Sequence, residues 1–290
     1  MLDYMENKVV HIRHGTLDFK VNGVVVELSF MYKSIIDGII QHIHHSNKHT
    51  TIHYLPNGNI TYITKNDILI WIGPYHPDFT SLRMNGTYVI LYNSEPIVYH
   101  YNLDEVWTYS KYIFNLYPSD RKVKFIPVLL ESTPSQLNYL SRTTLPLVFL
   151  GNLYYRQEKL LQLLKYDNIR LNIIDVYHLW SDHDYNHFMH GKSYIFLNLC
   201  KTDDIPALPS VRINKLLSHQ CIIISEHTND TDDALYKDLV YFCNLDEVSD
   251  IYAQLTQKSN EELQEIASSR YELFKKRFCL ESATHLIECK

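Results

Sequence analysis

The chain has 290 residues, 46% of them hydrophobic and 13% aromatic, with a formal net charge of −6. That length accommodates two domains of about 130–150 residues, and the composition excludes a disordered chain. A negative balance with no basic stripe argues against nucleic-acid binding, and no apolar run approaches the roughly 20 residues that span a bilayer.

Taken in chain order, Lys8 to Arg13 reads as a first strand ending at His14-Gly15. Val21 to Leu28 alternates weakly around Gly23 and reads as a second strand. Phe30 to His45 carries Met31, Ile35, Ile36, Ile39, Ile40 and Ile43 at helical spacing. Thr51 to Leu55 is a short strand, closed by a turn at Pro56-Asn-Gly58. Asp67 to Ile72 and Tyr88 to Tyr92 are continuous apolar runs, the pattern of strands buried on both faces. Gly73-Pro74 follows the first and Asn93-Ser-Glu95 the second. Glu105 to Trp107 is brief, and Ser110 is placed to cap a helix reaching Leu116. Val123 to Leu129 is a strand that contains Pro127. Trp71, Trp107 and Trp180 fall in or beside strands, where core packing is expected of them.

Glu131 to Pro146 is polar and contains Pro134 and Pro146, which sets a domain boundary there, with domains at 1–138 and 139–290. The second half restarts with the strand Leu147 to Leu150 and then Gly151-Asn152. Glu158 to Leu164 is helical, Leu171 to Val176 a strand, His183 to His190 a helix and Tyr194 to Leu199 a strand. Ser210 is a candidate cap for a helix whose apolar side is Val211, Leu216 and Leu217. Cys221 to Ile224 is another buried strand, with Ser225-Glu226 at its carboxyl end. A strand at Val240 to Cys243 and a helix from Asp246 to Leu255 follow. Ser259 with Glu262 forms a capping box, opening a helix with Leu263, Ile266, Ala267, Tyr271, Phe274 and Phe278 on one side. Strands alternating with helices in both halves predict an α/β chain of two Rossmann-like domains.

The run Arg212-Ile-Asn, Leu-Ser, Ile-Ile-Ser-Glu226, Leu235-Tyr-Lys-Asp238 and Val240-Tyr-Phe resembles the donor-binding half of GT-B glycosyltransferases. It is most similar to short members of the family-1-like group, over roughly residues 146–250, about the length of one domain. The resemblance implies a GT-B fold with an interdomain cleft, and a terminal helix that crosses back to the first domain. The activity implied is transfer of a sugar from a nucleotide-sugar donor to a hydroxyl of a glycan, lipid or protein. The sequence departs from that group in identifiable places. Two glutamates eight apart in the larger group correspond to Ala207 and Lys215, and the usual Gly and Pro before the strand to Gln220 and Ile222. Those departures keep two alternatives open: a nucleotide-sugar epimerase on the same fold, and a binding module without catalysis.

Gly151-Asn152 lies between a strand and a helix, with Arg156 close behind. Helix amides there suit a diphosphate and the arginine suits its charge. Arg212 and Lys215, three apart on one helix, present two cations to a leaving group that grows more negative as the sugar departs. Glu226, at a strand's carboxyl end, is placed to accept from ribose hydroxyls, as an acidic residue does in dinucleotide folds. In the first half His14, Gly73-Pro74-Tyr75-His76 and Glu95 follow strands, and His14 and Glu95 are the candidates for a general base in an inverting transfer. The ordinary alternatives are a tight turn at Gly151 with Arg156 on the surface, a solvated basic face on the helix, a helix-capping or surface carboxylate at Glu226, and local structure for His14 and Glu95.

No metal site is expected. Asp182 and Asp184 suit a helix N-terminus, and Asp203-Asp204 and Asp232-Asp233 sit at no convincing site. The sets His42, His45, His49 and His183, His187, His190 lack Cys or carboxylate partners for zinc. No cofactor is expected beyond the nucleotide-sugar substrate. Cys200, Cys221, Cys243, Cys279 and Cys289 form an odd, scattered set without a CxxC pair, which predicts free thiols in a reducing compartment. The start, Met1 to Glu6, has no signal-peptide pattern, so a cytoplasmic protein with at most peripheral membrane contact is expected.

Overall fold

The computed structural model describes residues 8–14, 19–21, 24–26, 29–46, 50–54, 63–73, 78–95, 98, 103–129, 137–175, 182–190, 192–201 and 206–290. The turn expected at residues 56–58, the residues 74–77 after Gly73, residues 131–136 of the polar segment, Trp180, His49 and Asp203-Asp204 lie outside them. The chain divides into two compact units: Met1–Leu129 with Leu280–Lys290, and Leu130–Cys279.

The first unit begins with β1 (Val9–His14), followed by β2 (Phe19–Val21) and β3 (Val24–Val26). β2 and β3 pair antiparallel, so Val21 and Val24–Val26 belong to two paired strands rather than to one continuous strand. α1 (Ser29–Ser46) then buries Ile35, Ile36, Ile39 and Ile43. β4 (Thr51–Tyr54), β5 (Ile68–Ile72), α2 (Thr80–Met84), β6 (Tyr88–Asn93), β7 (Glu105–Thr108), α3 (Lys111–Leu116) and β8 (Val123–Phe125) complete this stretch. Ser110 caps α3 as its sequence implies, its side chain accepting from the Ile113 amide. β8 stops before Pro127, which has no N–H for the ladder. Every residue of β5 is buried, as expected of a parallel strand covered on both faces.

Charge is also buried here, at the strands' amino ends. Glu105 accepts from Trp107 Nε1 at 2.6 Å, Tyr88 Oη at 3.0 Å and Lys124 Nζ at 2.8 Å. Three donors satisfy a carboxylate that would otherwise be costly to bury. Trp107 is therefore a core residue, as is Trp71, which meets Phe79 edge-on.

The second unit contains β9 (Leu147–Gly151), α4 (Gln157–Leu163), β10 (Leu171–Asp175), α5 (Asp182–Met189), β11 (Ile195–Asn198), α6 (Ser210–Ser218), β12 (Ile222–Glu226), α7 (Asp230–Leu235), β13 (Tyr241–Cys243), α8 (Val248–Thr256) and α9 (Asn260–Phe278). The capping box at Ser259 and Glu262 opens α9 with both reciprocal bonds present. The cap expected of Ser210 is not formed. Pro209 occupies the cap position, Ser210 is the first helical residue, and its hydroxyl donates to the Leu208 carbonyl at 3.3 Å. At the other end of α6, Gln220 takes φ 59°, the left-handed conformation that favours glycine. That is the position where the resembled group carries Gly.

After α9 the chain returns to the first unit as α10 (Leu280–Ala283) and β14 (Glu288–Cys289). β14 runs antiparallel to β8. Lys290 Nζ holds it there, donating to the carbonyls of Phe114, Asn115 and Tyr117 around the end of α3, where cations suit the helix dipole. The sheet orders are β14-β8-β7-β6-β5-β1-β4 in the first unit and β10-β9-β11-β12-β13 in the second. All pairs are parallel except β14 with β8 and the β2–β3 hairpin. No helix among the described residues is long and apolar enough to cross a membrane.

Candidate functional site

A parallel sheet binds ligands where its strand order reverses, beyond the carboxyl ends of the two strands that flank the reversal. In the second unit that point lies between β9 and β11, because the chain passes from β9 outward to β10 and then back to β11. β9 ends at Gly151, β11 at Asn198, and the neighbouring β12 at Glu226.

Gly151 is buried beneath a cation. A Cβ built on it would lie 2.9 Å from Cζ of Phe149, 3.1 Å from a guanidinium nitrogen of Arg212 and 3.3 Å from that guanidinium's carbon. Only a residue without a side chain lets the guanidinium come so close to the strand end. Arg212 reaches this position from α6, and its Nη1 donates to Oδ1 of Asn198 at 3.1 Å. Asn198 is fully buried and donates in turn to Ser225 Oγ at 2.9 Å. The guanidinium is thus held by a residue at the end of β11, which β12 holds in its turn.

Glu226 meets a second cation. Lys159 Nζ, on α4, lies 2.7 Å and 2.9 Å from its two oxygens. The Cys200 amide donates to Glu226 Oε2 at 3.0 Å. Burial, and then the nearby Glu226 charge, push the Cys200 thiol up to about 12, which leaves it protonated and a poor nucleophile.

The remaining candidates of this unit take other positions. Arg156 is not on the surface. It is buried, with Nε donating to the Leu199 carbonyl at 2.9 Å and Nη1 to the Asn152 carbonyl at 3.2 Å. Asn152 Oδ1 accepts from the Tyr154 amide at 2.9 Å. These bonds shape the turn between β9 and α4, and the helix begins only at Gln157. Lys215 turns toward α5, its Nζ 4.6 Å from the ring centre of Tyr185. The structure therefore gathers Gly151 and Arg212 directly, sets Arg156 and Asn152 in the loop beside them, and directs Lys215 to a different neighbour.

In the first unit the order reverses between β1 and β5. His14 is the last residue of β1 and pairs with Ile72 of β5, so its backbone lies at that reversal. Gly73 follows Ile72 with φ 100°. Glu95 lies beyond β6, one strand further along, and its amide donates to Asn93 Oδ1 at 3.0 Å. Among the described residues no group of three His, Cys, Asp or Glu side chains gathers to hold a metal ion. Asp182 opens α5. His42 is buried with neither ring nitrogen hydrogen-bonded to a described residue, and burial lowers its pKa to about 4.

Sequence reasoning missed Asn198, Ser225 and Lys159. Asn198 left a signal: a polar residue inside the apolar run Tyr194 to Leu199 must find a buried partner. Lys159 left none, because its carboxylate partner is 67 positions away.

No family model and no curated protein matches this chain. Solved structures do match. T4 phage BGT in complex with its UDP-glucose substrate superposes with a TM-score of 0.57 at 10% identity, covering 96% of this chain and 98% of that one. The same phage protein in complex with UDP and Mn2+ gives 0.55 at 11% identity, over 96% and 98%. The lipopolysaccharide outer core galactosyltransferase WaaB, in its apo form, gives 0.50 at 10% identity over 96% of this chain and 97% of that one. TarM, at 0.49 and 11% identity, is spanned over only 54% of its length, with 77% of this chain covered. The likeness to T4 phage BGT and WaaB shows the fold. The chain has the α/β fold of GT-B glycosyltransferases, built on two parallel sheets.

Proposed function

We propose that the protein is a glycosyltransferase that moves a sugar from a nucleoside diphosphate sugar to a hydroxyl on a glycan, lipid or protein. The observation that carries this reading is the Arg212 guanidinium, fixed by buried Asn198 over the bare backbone of Gly151 at the switch point of the second sheet. A diphosphate bound there meets a positioned, permanently charged fork. Its charge grows as the glycosidic bond to the sugar breaks, so the same contact strengthens toward the transition state. Asn152 and Arg156 contribute by shaping the loop beside the diphosphate, and Lys215 by its charge one turn along α6. Glu226 accepts from the ribose hydroxyls. On the acceptor side, His14 or Glu95 takes the proton of the attacking hydroxyl if the transfer inverts. The UDP-glucose complex of T4 phage BGT supports a nucleotide sugar as the donor class.

A second reading is a nucleotide-binding module that transfers nothing. It is favoured by Ala207 and Lys215, which stand where the resembled group has glutamates. Ala207 is buried, and Lys215 lies against Tyr185. Two measurements separate the readings. Thermal shift with a panel of nucleoside diphosphates detects binding, since ligand at 100 times its Kd adds about 2.7 kcal/mol. Release of free sugar from a panel of nucleotide sugars detects donor cleavage. Binding with cleavage supports transfer, binding without cleavage supports the module, and no binding rejects both.

A further inference from the structure

The pairing of Glu226 with Lys159 has a geometry suited to more than an ion pair. A carboxylate offers about four acceptor positions on its two oxygens. Lys159 Nζ approaches both oxygens, at 2.7 Å and 2.9 Å, and the Cys200 amide takes a second position on Oε2. Among the described residues these donors fill three positions, and the fourth, on Oε1, remains. The carboxylate stays partly accessible, with 16% of its side chain exposed. Contacts from α4 and the residue pair after β11 fix its plane, and so fix where that last position points.

We infer that Lys159 is a positioning residue that orients the Glu226 carboxylate to accept from a ribose hydroxyl. The inference rests on the proposed donor site and deepens it. Lys159 acts in two ways. Its two contacts stop rotation of the carboxylate, so a hydroxyl meets an acceptor already aimed. Its charge offsets that of Glu226, so a nucleoside diphosphate entering the same crevice is not repelled by a bare carboxylate. An ion pair serving only stability would change the unfolding temperature and leave ligand preference alone.

Calorimetry on the full chain tests this with UDP, ADP and GDP and their 2′,3′-dideoxy counterparts. The parent should prefer one ribonucleotide over its dideoxy form by roughly tenfold or more, the scale of one hydrogen bond to a charged group. Lys159→Met should bring that ratio down to within about twofold of unity, and Lys159→Arg, which keeps a bidentate cation, should retain it. Lys159→Gln is made alongside, because it leaves a donor against the carboxylate if the methionine variant does not fold; it too should lose most of the preference. Glu226→Gln should lose it as well. A Lys159→Met or Lys159→Gln protein that keeps the parent's ratio overturns the positioning role while leaving the donor site standing. A parent that binds a ribonucleotide without preferring it overturns both the ribose role of Glu226 and this inference. A parent that binds none of the three rejects the donor site itself.

Discussion

Substituting Gly151 by alanine separates the stability of the second unit from its proposed chemistry. The φ of Gly151 lies outside the left-handed region, so alanine suffers no backbone strain there, and the loss of unfolded-state freedom stabilises by about 0.4–1 kcal/mol. Against this, the new methyl carbon would lie 2.9 Å from the ring tip of fully buried Phe149 and 3.1 Å from the Arg212 guanidinium. Overpacking of a closed core costs about 1–3 kcal/mol, so net destabilisation of about 1–2 kcal/mol is expected. The guanidinium ends a flexible side chain and moves more easily than the ring. Its displacement breaks the 3.1 Å bond to Asn198 and withdraws the fork from the diphosphate. Losing a charge-assisted hydrogen bond of about 1.5–3 kcal/mol weakens nucleoside diphosphate binding roughly 10- to 100-fold. Urea unfolding measures the first effect and calorimetry with the nucleoside diphosphate the second. In an Arg212→Ala background the methyl should cost no further affinity, because the group it displaces is gone. A folded Gly151→Ala protein that binds diphosphate within about twofold of the parent would refute the reasoning.

Arg212→Ala should lower kcat as well as nucleotide affinity, because its contact strengthens as negative charge builds on the leaving group; steady-state kinetics showing a change in KM alone would contradict this. Transfer should survive chelation by EDTA, since the arginine is proposed to meet the diphosphate charge; complete loss restored by Mn2+ would reject a metal-independent reaction. His42 should make the first unit acid-sensitive. Burial holds its folded pKa at about 4, below the unfolded value near 6.5, so between those values the unfolded chain binds a proton that the folded one does not. Stability is therefore fully present above about pH 6.5 and falls by about 3 kcal/mol as pH drops to 4. Urea unfolding of parent and His42→Leu across that range should show a shallower slope for the variant, and equal slopes would remove His42 as the cause. Gln220→Gly should stabilise the second unit by about 0.5–1 kcal/mol, because relief of the left-handed strain exceeds glycine's entropy cost; a lower urea midpoint would show that the glutamine side chain contributes more than its backbone costs.

The sequence by itself determined the buried parallel strands and their class. Ile68–Ile72, Leu147–Gly151 and Ile222–Glu226 are legible because parallel strands covered on both faces must be apolar throughout. The helices between them are legible from spacing and, at Ser110 and Ser259, from caps whose bonds reach only three residues. Gly151 and Glu226 could be singled out because each stands at a strand's carboxyl end, where α/β sheets bind ligands, and Arg212 because the run it opens resembles the donor-binding half of GT-B glycosyltransferases. What lay beyond the sequence is what each of these residues touches. Arg156 reads as a cation for the diphosphate, yet its partners are carbonyls of Asn152 and Leu199, the latter 43 positions away. Lys159 finds Glu226, and β14 finds β8, only because of the order in which strands lie side by side. Periodicity records which face of an element is buried but not which neighbour covers it. That order is chosen by packing of the whole sheet, so the partners of Arg156, Lys159 and Arg212 were decided by tertiary structure alone.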